Sequence, residues 1–359
     1  MYGTPQAFCV RPSRTDEIST VIEFRGAPGV GRMGHEALRA EFAAGRMCPE
    51  WTFVAEGPGG ELLGRAVWWG FGGEPMMLAE WDVAPDVPGK AEIGAGLILS
   101  GVDLDYARED DNGPLYTIRL PAGWTDDPAC LGEVGWRCAA GEIVGWNEFN
   151  ERDSFEWVSG RGPSDRSVPR GPSDSAPRRE RLRFRPGTDE EFMALVAACA
   201  EGSLDVTTAR GLAAGTEEAF GEFLSELRTE LDGDRSWWRV AELPPPGNSG
   251  AAWAGAAGAA GTTGAADAVG AVGEPRPVGY VFPSVHDGSF HIAHLGVLPA
   301  FRGHGFVDEL VRYARDVLAA EHGARRIRAT TDSINAPYTR ALRRAGFLPR
   351  EVEIHLEAP

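Results

Sequence analysis

Two periodicities alternate along the chain, and they are easiest to follow from residue 182 onward. Residues 182–185 read as a short apolar strand. Thr188-Asp189-Glu190-Glu191 then opens a helix with a capping-box pattern, and Phe192, Leu195 and Val196 form its apolar stripe. A further helix is expected over 217–231, where Phe220, Phe223, Leu224, Leu227 and Leu231 fall at helical spacing. Strands are expected over 237–243, 278–285 and 290–298. The last two are joined by His286-Asp287-Gly288-Ser289, whose Asp-Gly pair signals a hairpin. A long helix over 305–322 stops at Gly323. A strand over 326–331, a helix over 336–345 and a strand over 351–357 complete the half.

The first half repeats this order loosely. It reads as a strand over 7–11, a helix over 35–44 and three consecutive antiparallel strands over 51–55, 62–69 and 76–83. A helix over 93–107, a strand over 115–119, a short helix over 128–134 and a strand over 142–149 follow. Two copies of one α/β fold, joined by a linker, account for the order economically. The expected domains are 1–160 and 181–359. Between them lies a linker, 161–180, rich in Pro, Ser and Arg, with Gly-Pro-Ser-Asp twice. A second low-complexity stretch, 244–275, has 19 Gly or Ala among its 32 residues. It offers too little side-chain surface to offset the entropy of ordering, so a disordered insertion is expected there.

Composition narrows the function. The chain has 359 residues, 43% of them hydrophobic, enough for two cores. No apolar run is long enough to span a bilayer, and no secretory leader is expected, so no membrane partner is anticipated. The five cysteines form no CxxC pair, and the seven histidines give no metal spacing. A reducing cytoplasm and no metal are therefore expected. The net charge of −18, with −14 in residues 1–160, speaks against nucleic acid as a partner. The tryptophan-rich first half reads as core packing rather than a cation-binding cleft.

Chemistry concentrates in Leu295-Gly296-Val297-Leu298-Pro299-Ala300-Phe301-Arg302-Gly303-His304-Gly305-Phe306-Val307. This runs strand, proline, glycine-containing loop, helix. Glycines permit positive φ, so the loop can aim successive N–H groups at one point beside a helix N-terminus. That arrangement binds phosphate oxygens, and Arg302 could add a charge-assisted contact.

The segment resembles the acyl-CoA-binding signature of the GNAT acetyltransferase superfamily, Arg/Gln-x-x-Gly-x-Gly/Ala. Downstream, Asn335-Ala336-Pro337-Tyr338 through Gly346-Phe347 is similar to the family's Asn-containing helix that ends in Gly-Phe. The full motif set covers roughly 181–359. In the first half Val83-Ala84-Pro85 matches the Val-x-Pro, but no Arg-Gly-x-Gly follows. The tandem order resembles bacterial two-domain members such as mycothiol synthase. The resemblance implies two tandem GNAT-like α/β (α+β) domains, each a mixed, mostly antiparallel sheet flanked by helices, the first degenerate.

It further implies an N-acetyltransferase acting on a primary amine of a small molecule, with acetyl-CoA as co-substrate, working as a monomer or homodimer. A non-catalytic acyl-CoA-binding protein is the alternative. The backbone of Leu295, Gly296 and Val297 would pair with the pantetheine arm. The amides of Gly303, His304, Gly305, Phe306 and Val307 would hold the pyrophosphate, with Arg302 beside them. Asn335 and Tyr338 would flank the arm. Val307 and Leu342 depart from the family pattern, which usually has Gly or Ala and Tyr there. His294 is the candidate general base, with His291 as alternative. Simple strand alternation puts the two histidines on opposite faces. Tyr338 is the candidate acid in place of Leu342.

Overall fold

The computed structural model describes residues 8–26, 30, 33–71, 74–102, 115–160, 181–206, 235–245, 275–286 and 288–357. The expected linker, the helix over 217–231 and all but the ends of the insertion lie outside the described residues. The fold is mixed α/β, with two sheets flanked by helices. It divides into two compact units: unit 1 is Met1–Arg152 with Glu351–Pro359, and unit 2 is Asp153–Arg350.

In unit 1, β1 (Cys9–Pro12), β2 (Thr52–Glu56), β3 (Leu62–Phe71) and β4 (Glu74–Val83) form an antiparallel sheet in sequence order. The connection from β1 to β2 carries α1 (Ile18–Glu23) and α2 (His35–Ala43). α3 (Lys90–Val102), β5 (Leu115–Pro121), α4 (Pro128–Val144) and β6 (Asn147–Val158) follow. The sequence pattern anticipated the three central strands and α2, and it missed α1. It also ended α4 too early. The β-branched pair Ile143-Val144 looks strand-like, but the helix runs through it and stops where Gly145 adopts φ +83°.

Unit 2 contains β7 (Arg183–Arg185), α5 (Asp189–Ala200), β8 (Arg239–Leu243), β9 (Arg276–His286) and β10 (Ser289–Val297). After these come α6 (Phe306–Ala320), β11 (Arg326–Asp332) and α7 (Ala336–Arg344), and β12 (Leu348–Glu357), which belongs to unit 1 from Glu351 on, closes the chain. Thr188 caps α5 by accepting from the Glu191 amide at 3.3 Å, as the capping-box pattern requires. The strand order is β7-β8-β9-β10-β11, antiparallel except for the parallel pair β10–β11. One sheet face packs on α5 through Phe192, Val196, Tyr280 and Phe282. The other packs on α6 through Val281, Ile292, Leu310 and Ala314.

The closing strand departs from the expected division of the chain. β12 pairs antiparallel with β5 from Glu351↔Pro121 to Glu357↔Leu115, and Val352, Ile354 and Leu356 join the core of unit 1 beside Ile118 and Leu120. The end of the chain is therefore part of the first unit's core rather than of the second. Ile354→Ala, at a position only 3% exposed, should cost about 2–5 kcal/mol of stability, as a core truncation does. Denaturant unfolding checks this, and a loss of only a few tenths would mean that β12 merely lies on the surface.

Candidate active site

The site begins where two parallel strands part. β10 and β11 are in register only at Phe290↔Ile327 and His291↔Arg328. Beyond these pairs β10 runs on to Val297 and β11 to Asp332. Among the described residues, the β11-facing side of β10 has no paired strand from Ile292 onward, so it presents backbone donors and acceptors as a sheet edge does. Leu295, Gly296 and Val297 lie on this stretch. Gly296 is required for packing as well. A Cβ there would stand 2.6 Å from the Tyr280 ring and 2.8 Å from the Cys199 Cβ. Its absence lets α5 close on the strand.

At the end of β10 the chain turns through Pro299–Phe301 into Arg302-Gly303-His304-Gly305 and enters α6. Gly303 and Gly305 have φ of +79° and +75°, a region that L side chains rarely adopt. Among the described residues no backbone carbonyl accepts from the amides of Gly303, Gly305, Phe306 or Val307. A Cβ at Gly303 would meet no described atom within 4 Å. The first turn carries two buried acids, Asp308 and Glu309, which would repel an anion if unpaired. Asp308 is paired with Arg344 at 2.6 Å and Glu309 with Arg181 at 2.7 Å. Arg181 also donates to the His304 carbonyl at 3.0 Å. The amides and helix dipole thus act without a net negative first turn. Sequence reading missed Arg181 because it sits at the margin of a low-complexity linker.

Arg302 is placed differently from its expected contact with phosphate. Its Nε donates to the Val297 carbonyl at 3.0 Å, Nη2 to Cys199 at 2.7 Å, and Nη1 to Glu201 and Gly202 at 2.7 and 2.9 Å. The guanidinium therefore caps the C-terminal end of α5, where the helix dipole favours a cation, and ties that end to β10. Asn335 caps α7 by accepting from the Tyr338 amide at 3.4 Å, and its own amide donates to the Asp332 carbonyl at 2.8 Å. Asp332, buried at the end of β11, accepts from the Val206 amide. Tyr338 is packed beside Ala341 and Leu342.

The histidines correct a second expectation. Ile292 pairs with Pro283 but His294 pairs with Phe282, so Ala293 is an extra, bulged residue in β10. The bulge resets the alternation. His291 is opposite Ser284 and His294 opposite Phe282, and Ser284, Phe282 and Tyr280 share a face. His291 and His294 therefore lie on one face, toward α5, rather than on opposite faces. The Tyr280 hydroxyl and His294 Nδ1 are 2.8 Å apart.

Unit 1 has the same bulge. Val67 pairs with Glu80 and Trp68 with Leu78, leaving Ala79 extra, four residues before Val83 as Ala293 is four before Val297. Glu80 thus holds the position of His294, Asp82 that of Gly296 and Arg65 that of Tyr280. All three are buried ions. Arg65 Nη2 bonds Glu80 at 3.0 Å and Asp82 at 2.9 Å, while Nη1 donates to the Val21 carbonyl at 2.6 Å. The loop after Val83 contains Pro88, which has no N–H to offer.

Residues 232–347, about a third of the chain, match the model of the Acetyltransferase (GNAT) family. No curated protein sequence matches the chain significantly. Among solved structures, a GCN5-related N-acetyltransferase from Sphaerobacter thermophilus is similar at 16% identity and TM-score 0.48, over 97% of this chain and 94% of that one. A tandem GNAT protein from the clavulanic acid biosynthesis pathway, solved without AcCoA, has 17% identity and TM-score 0.40 over 98% of both chains. An acetyltransferase of the GNAT family from Colwellia psychrerythraea has 12% identity and TM-score 0.39, over 98% of this chain and 100% of that one. Among the described residues no helix is long and apolar enough to cross a membrane, and no group of three ligating side chains could hold a metal ion.

Arg302→Lys and Arg302→Ala should lower stability alike, by about 1.5–3 kcal/mol, because lysine keeps the charge but not the fork of donors. Thermal unfolding checks this. A lysine variant as stable as the parent would mean that only the charge matters.

Proposed function

We propose that the chain is an N-acetyltransferase that carries an acetyl group from acetyl-CoA to a primary amine of a small molecule, and that unit 2 performs the chemistry. The observation that carries this reading is that, among the described residues, the amides of Gly303, Gly305, Phe306 and Val307 have no backbone acceptor where two left-handed glycines lead into α6. The match of residues 232–347 to an acetyltransferase family model supports it. The amides of Gly303 to Val307 would hold the pyrophosphate, and the open edge of β10 at Leu295–Val297 would pair with the pantetheine amides. Asn335 and Tyr338 would flank the arm from α7.

Acetyl-CoA supplies an activated acyl group as a thioester. The protein's task is to hold an amine against that carbonyl, and proximity accounts for most of the rate. The amine attacks the thioester directly in this reading, without an acyl-cysteine. Burial raises the Cys199 thiol to about 12, so at neutral pH it stays protonated and is a poor nucleophile. Tyr338 is the proposed proton donor to the departing sulfur. Unit 1 would bind no acyl-CoA. Its loop lacks the glycine pair, and buried ions hold the positions that Tyr280, His294 and Gly296 hold in unit 2.

His304 is exposed within the loop, so a carboxylate there would sit among the amides without disturbing the core. His304→Glu should lower acetyl-CoA affinity at least tenfold, about 1.4 kcal/mol, with the loss shrinking at high salt. Calorimetric titration at two salt concentrations reads this. Unchanged affinity in the folded variant would remove the loop from the binding site.

A further inference from the structure

We propose that the exposed arginines of α7, Arg340 and Arg343, with Arg344 and Arg312 beside them, bind the 3′-phosphate at the nucleotide end of acetyl-CoA, so that the chain distinguishes the coenzyme from its 3′-dephospho form. The proposal rests on the acyl-CoA reading of the glycine loop and adds a second anchoring point to it.

Charge is distributed unevenly in this acidic chain. Residues 312–350 hold nine arginines and three acids, whereas the whole chain has a net charge of −18. Part of this surplus converges on one residue. Asp308, in the first turn of α6, accepts from Arg344 at 2.6 Å through Oδ1 and from the Arg312 Nε at 3.1 Å through its carbonyl. Arg340 precedes Arg343 by three positions and Arg344 by four, so the three share the exposed face of α7. The opposite face of the helix, through Ala341, Leu342 and Ala345, is packed in the core. Arginines thus gather around a single carboxylate, at the turn where the amides of Phe306 and Val307 lack backbone acceptors among the described residues. Arg340 and Arg343 have no side-chain hydrogen bond or ion pair among the described residues.

Helix structure alone does not explain this arrangement. The dipole at the end of α7 favours Arg343 and Arg344 in its last turn, but Arg340 lies a turn earlier and Arg312 is in the interior of α6. Like charges three and four residues apart on a helix repel, and α7 carries no acid to offset them. A bound anion would relieve that repulsion, and the ligand of the loop carries one. Besides the diphosphate that the amides would hold, acetyl-CoA has a phosphomonoester on the 3′ oxygen of its ribose, with nearly two negative charges at neutral pH. Packed helices lie about 8–10 Å apart, so α7 is within reach of a group one sugar removed from the start of α6. Arginine suits that group, because its planar fork donates two parallel bonds to phosphate oxygens. Amides that grip a diphosphate do not sense the rest of the nucleotide, and the arginines would supply that discrimination.

Calorimetric titration of the full chain with acetyl-CoA and with 3′-dephospho-acetyl-CoA tests the proposal. The parent should bind acetyl-CoA about tenfold or more tightly than the dephospho form, and the preference should shrink at high salt. Arg340→Gln combined with Arg343→Gln keeps polar side chains and helix propensity at two exposed positions, so the double variant should unfold at the parent's temperature. It should bind acetyl-CoA more weakly and the dephospho form as before, which brings the two affinities within about threefold of each other. Equal affinity of the parent for the two ligands, or a preference retained in the folded double variant, would overturn the proposal and leave the acyl-CoA reading standing. Binding of neither ligand would overturn both.

Discussion

A helix that starts in a loop must leave its first amides without carbonyl partners, and the rest of unit 2 is arranged around that constraint. At α6 the amides are left open by two glycines in left-handed conformation rather than covered by a side-chain cap. Each charge that would disturb them is paired elsewhere. Arg344 occupies Asp308, Arg181 occupies Glu309, and Arg302 reaches back to the end of α5. The parting of β10 and β11 after His291 supplies the adjoining slot, because a strand edge without a neighbour has the same unmet hydrogen-bonding need as a helix end. The site is thus built largely from backbone, and side chains hold that backbone in place.

The two units show one scaffold put to different uses. Each has a bulged alanine four residues before a Val-x-Pro, and each therefore turns the following side chain toward the same face. In unit 2 that face carries the hydrogen-bonded pair Tyr280–His294, and in unit 1 it carries Arg65 with Glu80 and Asp82. Buried ions of this kind stay charged only because each is paired, and removing one partner would strand the others.

Much of the fold was legible because it rests on local rules. The hairpin at 286–289, the Thr188 cap and the glycine loop before α6 each carry their signal within a few residues. What the sequence did not reveal depends on contacts between distant residues. Nothing near Arg302 indicates that its acceptors are carbonyls about a hundred positions upstream, so its charge reads as a phosphate contact. Ala293 is an ordinary strand residue, and only the pairing with β9 shows it to be extra, so the faces of His291 and His294 were misassigned. Tyr280 could have been found by counting back across the Asp-Gly turn, but only with the bulge included. The apolar alternation of β12 was visible, while its place in the core of unit 1 was not.

The account's central claim is that the start of α6, and not its counterpart at the start of α3, holds the phosphates of acetyl-CoA. Hydrogen–deuterium exchange of the full chain, with and without acetyl-CoA, addresses this directly, because unpartnered amides exchange fast until an acceptor covers them. The account predicts slowed exchange in peptides spanning Leu295–Val307 and no change in those spanning Val83–Glu92. Protection at Val83–Glu92 instead, or none in either segment at saturating ligand, would contradict it.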